Sequence, residues 1–300
     1  MTQTFTCQGD PHLGRRFKTG VPLHRVGQRE NMVRLQFGLE LKNVTTDLHI
    51  CLGDLFDKFI VPPEVVLFAA DAYLEAVEAN PGTRYIIMAG NHDTSRDQST
   101  SSFDLFHRLV AGRVDVLLQP TVIGPYGFLP YDHFRSAVDQ VGDLPNGLER
   151  IFTHLDYVDW GGGHVLPTEL LAEKGITQVT NGHDHLRRVE KRHGVTVEMH
   201  GSMQPYGHGE DGTGEWYRTI PLGELDALDA SHLNIRVLLE EGEVLPVGLD
   251  CLSLIGKRVR SVEETLDVDT TEFDSFNMEA EIAGVVDPSI LEELLGVFKS

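Results

Sequence analysis

The stretch Leu48-His49-Ile50-Cys51-Leu52-Gly53-Asp54-Leu55-Phe56-Asp57 decides how this chain folds. Residues 48–52 form a short apolar run that stops abruptly at a glycine and a carboxylate. A strand buried on both faces reads this way, with its carboxy end handing a polar residue to a loop. Gly53 lets the chain turn sharply, and Asp54 projects from the strand end.

The same construction recurs along the chain. Residues 5–8 lead into Gly9-Asp10, and 85–89 into Gly90-Asn91-His92-Asp93. Residues 151–153 lead into His154, and 176–180 into Asn181-Gly182-His183. Between these runs lie helical patterns. Residues 29–42 carry Met32, Val33, Leu35, Phe37, Leu39 and Leu41; residues 62–78 open on prolines suited to a helix start; 101–110 is shorter. Alternating strands and helices predict an α/β domain with its site at the carboxy ends of the strands. After Val197 the pattern changes to a glycine-rich acidic loop at 207–214 and strand-like pieces at 233–239 and 249–254. The boundary is placed near 216–223, giving a main domain over 1–216 and a small α+β appendage over 217–300. Its terminal helix spans 287–298, capped by Asp287 with Pro288 at the first position.

The strand ends supply a coherent set of donors. Asp10-Pro11-His12 puts a carboxylate and an imidazole two residues apart, on one side of an extended chain. Asp54, then Asn91-His92-Asp93, then His154, then Gly182-His183-Asp184-His185 follow in order. Taken singly, each has a bland explanation: a surface turn, a loop composition, a hydrogen-bonded core histidine. Together they supply only oxygen and nitrogen donors, which suits Mn²⁺, Mg²⁺, Fe or Zn²⁺, and the lack of cysteine donors argues against a structural zinc.

The order of these motifs over residues 5–205 resembles the calcineurin-like metallophosphoesterase superfamily. The resemblance implies an α/β/β/α sandwich with a small capping appendage. It also implies two divalent ions, Mn²⁺ foremost. Asp10, His12 and His185 would hold one, Asn91, His154 and His183 the other, with Asp54 bridging. His92 becomes the histidine beside the scissile phosphate, and Asp93 the carboxylate that orients it. Two such cations make a water acidic enough to attack phosphorus near neutral pH and offset the charge of the phosphate oxygens, while His92 serves the departing oxygen. Asp57 is expected beside the site, and His208 of the glycine-rich loop is a further candidate to approach substrate.

Finer details are similar to SbcD-type nuclease subunits. Asp10-Pro11-His12-Leu13-Gly14-Arg15-Arg16-Phe17, Gln28-Arg29-Glu30, Phe128-Leu129-Pro130-Tyr131 and His200-Gly201-Ser202-Met203 carry the likeness. It implies a DNA exo/endonuclease, partnered by a coiled-coil SMC-like ATPase in double-strand break processing, and a homodimer. Arg15, Arg16, Arg187 and Arg188 flank the motifs and could position backbone phosphates without reading sequence; equally, they could offset a very acidic surface through ion pairs. The net charge of −21 gives no general attraction to nucleic acid, and the last seventy residues hold fifteen acidic side chains against five basic ones. That acidity and the short carboxy-terminal region favour the alternative of a small-molecule phosphodiesterase or phosphatase. A scaffold without catalysis is disfavoured because no ligand position is missing. No apolar run reaches the roughly 20 residues of a membrane helix, and the first ten residues lack a signal-peptide layout. Three cysteines, an odd number, read as free thiols in the cytoplasm.

Overall fold

The computed structural model describes residues 3–97, 100–159 and 163–259. The chain divides into two compact units, Met1–Leu239 with Glu243–Lys257, and Glu240–Gly242 with Arg258–Ser300. The packing and the site below lie in the first. The expected helix over 287–298 falls outside the described residues.

Two sheets form the centre. The first has the order β1 (Phe5–Gln8), β2 (Leu48–Cys51), β3 (Arg84–Met88), β4 (Asp115–Leu117), all parallel. The second runs β5 (Thr121–Ile123), β6 (Tyr126–Leu129), β7 (Arg150–Thr153), β8 (Gln178–Asn181), β10 (Val195–Met199), β9 (Arg188–Arg192); β5 and β9 are antiparallel to their neighbours. Strand alternation sorts side chains to opposite faces. From the first sheet, Leu48, Ile50, Ile86 and Met88 meet Tyr126, Phe128 and Phe152 of the second in a shared inner core. Cys51, Tyr85 and Ile87 face outward onto α1 (Gln28–Lys42), α2 (Pro63–Ala79) and α3 (Ser102–Leu109). On the far side, Ile151, Val179, Val195 and Val197 pack under α4 (Ala137–Gly142) and α5 (Thr168–Glu173). The result is the expected α/β/β/α sandwich.

The helices follow their sequence signals, with one difference. Prolines open α2, and Ser101 caps α3 through a reciprocal pair with Asp104. In α1 only Val33, Phe37 and Leu41 of the expected apolar residues are buried, spaced by four, together with Arg29. Leu35 and Leu39 stay 66% and 58% exposed, because a helix of 3.6 residues per turn carries them to another face.

A third sheet, β11 (Tyr217–Pro221), β12 (Asn234–Leu239), β13 (Ser253–Arg258), has its own small core around Leu225, Ile235, Val237 and Cys251. The strand expected at 249–254 starts only at Ser253. Leu249 and Cys251 reach that core from a loop instead, so apolar content there signals burial rather than pairing. The sheet meets the sandwich through the Leu254 N–H, which donates to the Gly20 carbonyl at 2.8 Å, and through Arg25 against Asp250.

Candidate metal centre

Five parallel strands stop at one edge of the sandwich, and each hands over a donor within three residues: Asp10, Asp54, Asn91, His154 and His183. The route differs from strand alternation. Asp10, His12, Asp54 and His183 have φ of 24°, 46°, 49° and 67°, the left-handed region. Asp10 and His12 therefore share a target because the chain curls there, not because it is extended. Glycines make room for the convergence. A Cβ on Gly53 would strike the His154 ring, one on Gly90 the Asp54 carboxylate, and one on Gly182 would sit 2.9 Å from Asp10 Oδ1.

The expected ligands come together in two groups. In one, His12 Nε2 and His185 Nε2 stand 3.0 Å apart, with Asp10 Oδ2 3.5 Å from the latter. In the other, Asn91 Oδ1 lies 3.1 Å from His154 Nε2 and 3.0 Å from His183 Nδ1. Asp54 Oδ2 stands between the groups, 3.7 Å from His12 Nε2 and 3.4 Å from His154 Nε2. Its Oδ1 accepts the His92 N–H at 2.9 Å.

This arrangement fits cations. Asp10 is completely buried, yet neither of its oxygens accepts a hydrogen bond. A carboxylate in that state is costly unless a positive charge faces it. Two imidazole nitrogens 3.0 Å apart present lone pairs to each other unless something cationic or a proton lies between them. The electrostatics around Asp54 and His154 agree in sign, whereas burial raises Asp10 and lowers His12. Burial opposes protonation of His154, but Asp54 and Asp10 raise it to about 9. Burial pushes Asp54 up, yet His154 and His12 hold it below the usual carboxylate range. Protons here partly serve where divalent ions would sit.

Hydrogen bonds on the outer side fix which imidazole nitrogen faces inward. His154 Nδ1 meets the Leu52 carbonyl at 2.9 Å, and His92 Nδ1 meets the Asp57 carbonyl at 2.6 Å. Asp93 was the residue expected to orient His92. Its carboxylate instead accepts the backbone N–H groups of Gly90, Phe56 and Leu55 at 2.9, 3.0 and 3.2 Å, pinning the loop that bears Asp54. A carboxylate at that place is taken by loop amides, so a main-chain oxygen does the orienting.

Three residues that motif reading missed border the centre. Asp156 Oδ1 is 2.7 Å from His183 Nε2, and Glu210 Oε1 is 3.2 Å from His185 Nδ1. The Tyr206 hydroxyl donates to the Pro11 carbonyl at 2.5 Å, and its ring lies edge-on to His12. The available signal was faint: Asp156 follows His154 by two, and Glu210 sits in the glycine-rich loop.

The flanking arginines are engaged. Arg15 Nη1 reaches Asp57 at 3.1 Å and its guanidinium covers the Tyr206 ring. Arg188 pairs with Asp184 and Glu190, and Arg187 stands 3.7 Å from Glu198. Arg16 is exposed. His208 packs against Tyr217 and hydrogen-bonds with Thr219. Burial and then Arg236 lower it to about 4. All three cysteines are free thiols, and no helix among the described residues is long and apolar enough to cross a membrane.

Comparison with known proteins agrees with this centre. No curated protein matches the chain. Among solved structures, it is similar to the phosphopantetheinyl hydrolase of Mycobacterium tuberculosis, at 12% identity over 68% of this chain and 93% of that one. The TM-score is 0.40. The model for calcineurin-like phosphoesterases matches residues 4–218, more than two thirds of the sequence. The chain belongs to the calcineurin-like phosphoesterase family, hydrolases built around a dinuclear divalent-metal site.

Proposed function

We propose that this chain is a metal-dependent phosphodiesterase acting on DNA, a nuclease subunit of SbcD type. The observation that carries the hydrolytic part is the buried, unbonded Asp10 carboxylate facing two groups of imidazole and amide donors. Asp10, His12 and His185 would hold one ion, Asn91, His154 and His183 the second, with Asp54 shared. When bound, such ions, Mn²⁺ in this reading, supply an acidified water and neutralise phosphate oxygens. The chain's own part is orientation and proton delivery. His92, its Nδ1–H held by the Asp57 carbonyl, keeps Nε2 for the departing oxygen. Asp93 keeps the Asp54 loop in place.

Support for DNA comes from residue strings that extend beyond the metal donors, above all 10–17 and 200–203, and from the exposed Arg16. In this reading the protein works in the cytoplasm, as a homodimer with an SMC-like ATPase, and residues 217–300 form the cap. A small phosphodiester is the second reading, favoured by Arg15, Arg187 and Arg188 each facing a carboxylate of this chain.

The deciding experiment offers the purified protein linear duplex DNA and a small chromogenic phosphodiester, with Mn²⁺ and a salt series. DNA cleavage that falls steeply with salt and vanishes in His92→Ala supports the nuclease. Brisk, salt-insensitive turnover of the small ester with intact DNA overturns it in favour of the second reading.

A further inference from the structure

The two carboxylates that motif reading missed contact histidines of different donor groups. Four inward-facing histidines are anchored on their outer nitrogen, but not by the same kind of group. His154 and His92 lean on main-chain carbonyls, whereas His183 leans on Asp156 and His185 on Glu210. A carboxylate accepts the imidazole proton more strongly than a carbonyl, and it makes the opposite nitrogen a better donor to a metal. The pairs also fix opposite tautomers. His183 gives its Nε2–H to Asp156 and turns Nδ1 toward Asn91; His185 gives its Nδ1–H to Glu210 and turns Nε2 toward His12.

Each carboxylate is held by its own surroundings. Asp156 is placed by its main chain, whose N–H donates to the His164 carbonyl at 3.1 Å and whose carbonyl accepts the Leu166 N–H at 2.8 Å. Glu210 uses its second oxygen to accept the Tyr206 N–H at 2.7 Å, and its own N–H donates to the Gly207 carbonyl at 3.0 Å. That gives the glycine-rich loop 207–214 a task. Next to it, Asp211 accepts the N–H groups of Gly214, Trp216 and Tyr217, which shapes the loop so that Glu210 points inward.

We infer that Asp156 and Glu210 are positioning residues, each tuning one ion position: Asp156 the one with Asn91, His154 and His183, Glu210 the one with Asp10, His12 and His185. This rests on the two-ion reading above.

The test is Mn²⁺ titration of the full chain followed by electron paramagnetic resonance, which separates a spin-coupled pair from a lone ion. Wild type takes two equivalents and gives the coupled signal. Asp156→Ala and Glu210→Ala each weaken one ion by roughly 10–100-fold and leave a lone-ion signal at sub-saturating metal. Asp156→Asn and Glu210→Gln keep an acceptor oxygen and recover much of the coupled signal, which a purely structural role would not predict. Wild-type affinity in both alanine variants overturns the inference. So does equal loss of both ions in a folded variant. Should an alanine variant fail to fold, imidazole nitrogen NMR on the Zn²⁺-loaded wild type still decides: Nε2–H on His183 with Nδ1–H on His185 upholds the assignment, and any other pair refutes it. A wild type that takes up no second ion defeats the two-ion reading itself, a result distinct from all of these.

Discussion

His92 Nδ1 lies 2.6 Å from the carbonyl oxygen of Asp57, so the ring is aimed by the main chain of the loop that also carries Asp54. Asp54, the proposed shared ligand, and His92, the proposed proton donor, are thus set by one five-residue segment, Gly53 to Asp57, and cannot drift independently. His92→Ala is expected to lower turnover of a phosphodiester by about 10²–10⁴ while Mn²⁺ stoichiometry stays that of wild type. A loss below tenfold would remove His92 from the proton-transfer role.

Asp93 has a different task and so a different signature. With three loop amides as partners, Asp93→Ala leaves buried N–H groups unpaired. Stability should drop by about 1–3 kcal/mol for each amide not rescued by water. Thermal melting checks this, and a melting temperature equal to wild type would contradict the pinning role.

Metal should stabilise the fold as well as the reaction. The buried Asp10 carboxylate accepts no hydrogen bond and would gain a close partner when cations arrive, and at 100 times the dissociation constant one site contributes about 2.7 kcal/mol. Melting in Mn²⁺ against melting in chelator measures it. An unchanged midpoint would mean that these donors hold no ion.

Gly90→Ala tests the crowding directly. The added methyl meets the Asp54 carboxylate and backbone, which cannot yield without moving that donor away from His12 and His154. Activity should fall by at least tenfold, and the second equivalent of Mn²⁺ should bind more weakly. Calorimetric titration would expose the idea as wrong if both ions bound as in wild type.

The glycine-rich loop should loosen in acid. Burial alone would raise Asp211, but the Trp216 N–H, the Thr213 hydroxyl and the Tyr217 N–H bring it down to about 2. A carboxylate depressed in the fold contributes fully above its unfolded value near 4 and progressively less toward 2. Exchange of the Trp216 and Tyr217 amides, compared with Asp211→Asn at each pH, should show protection in wild type at pH 5 that disappears by pH 2. Equal protection at both would rule out Asp211 as the anchor.

Much of this molecule can be read before folding. Runs such as 48–52 announce buried strands because both faces of a parallel sheet are covered, and the polar residue after each run marks the edge where function sits. The donors expected to meet do meet. What escaped is what periodicity does not encode. Asp156 and Glu210 sit in loops, where position depends on tertiary contacts and no spacing rule applies. Asp93 looked like a partner for its neighbour, yet loop amides captured it. Leu35 and Leu39 looked like core, and the helical turn took them elsewhere. Cys251 and Leu252 looked like strand and are buried from a bend.

The left-handed backbone at Asp10, His12, Asp54 and His183 has a consequence for the history of the sequence. Residues with a Cβ are unfavourable there by about 1–2 kcal/mol each. Without metal, selection for heat resistance alone would replace them with glycine, and every such gain would dismantle the centre. Laboratory evolution under thermal challenge without an activity screen should therefore erode these positions first, and their persistence in any lineage records continued demand for hydrolysis.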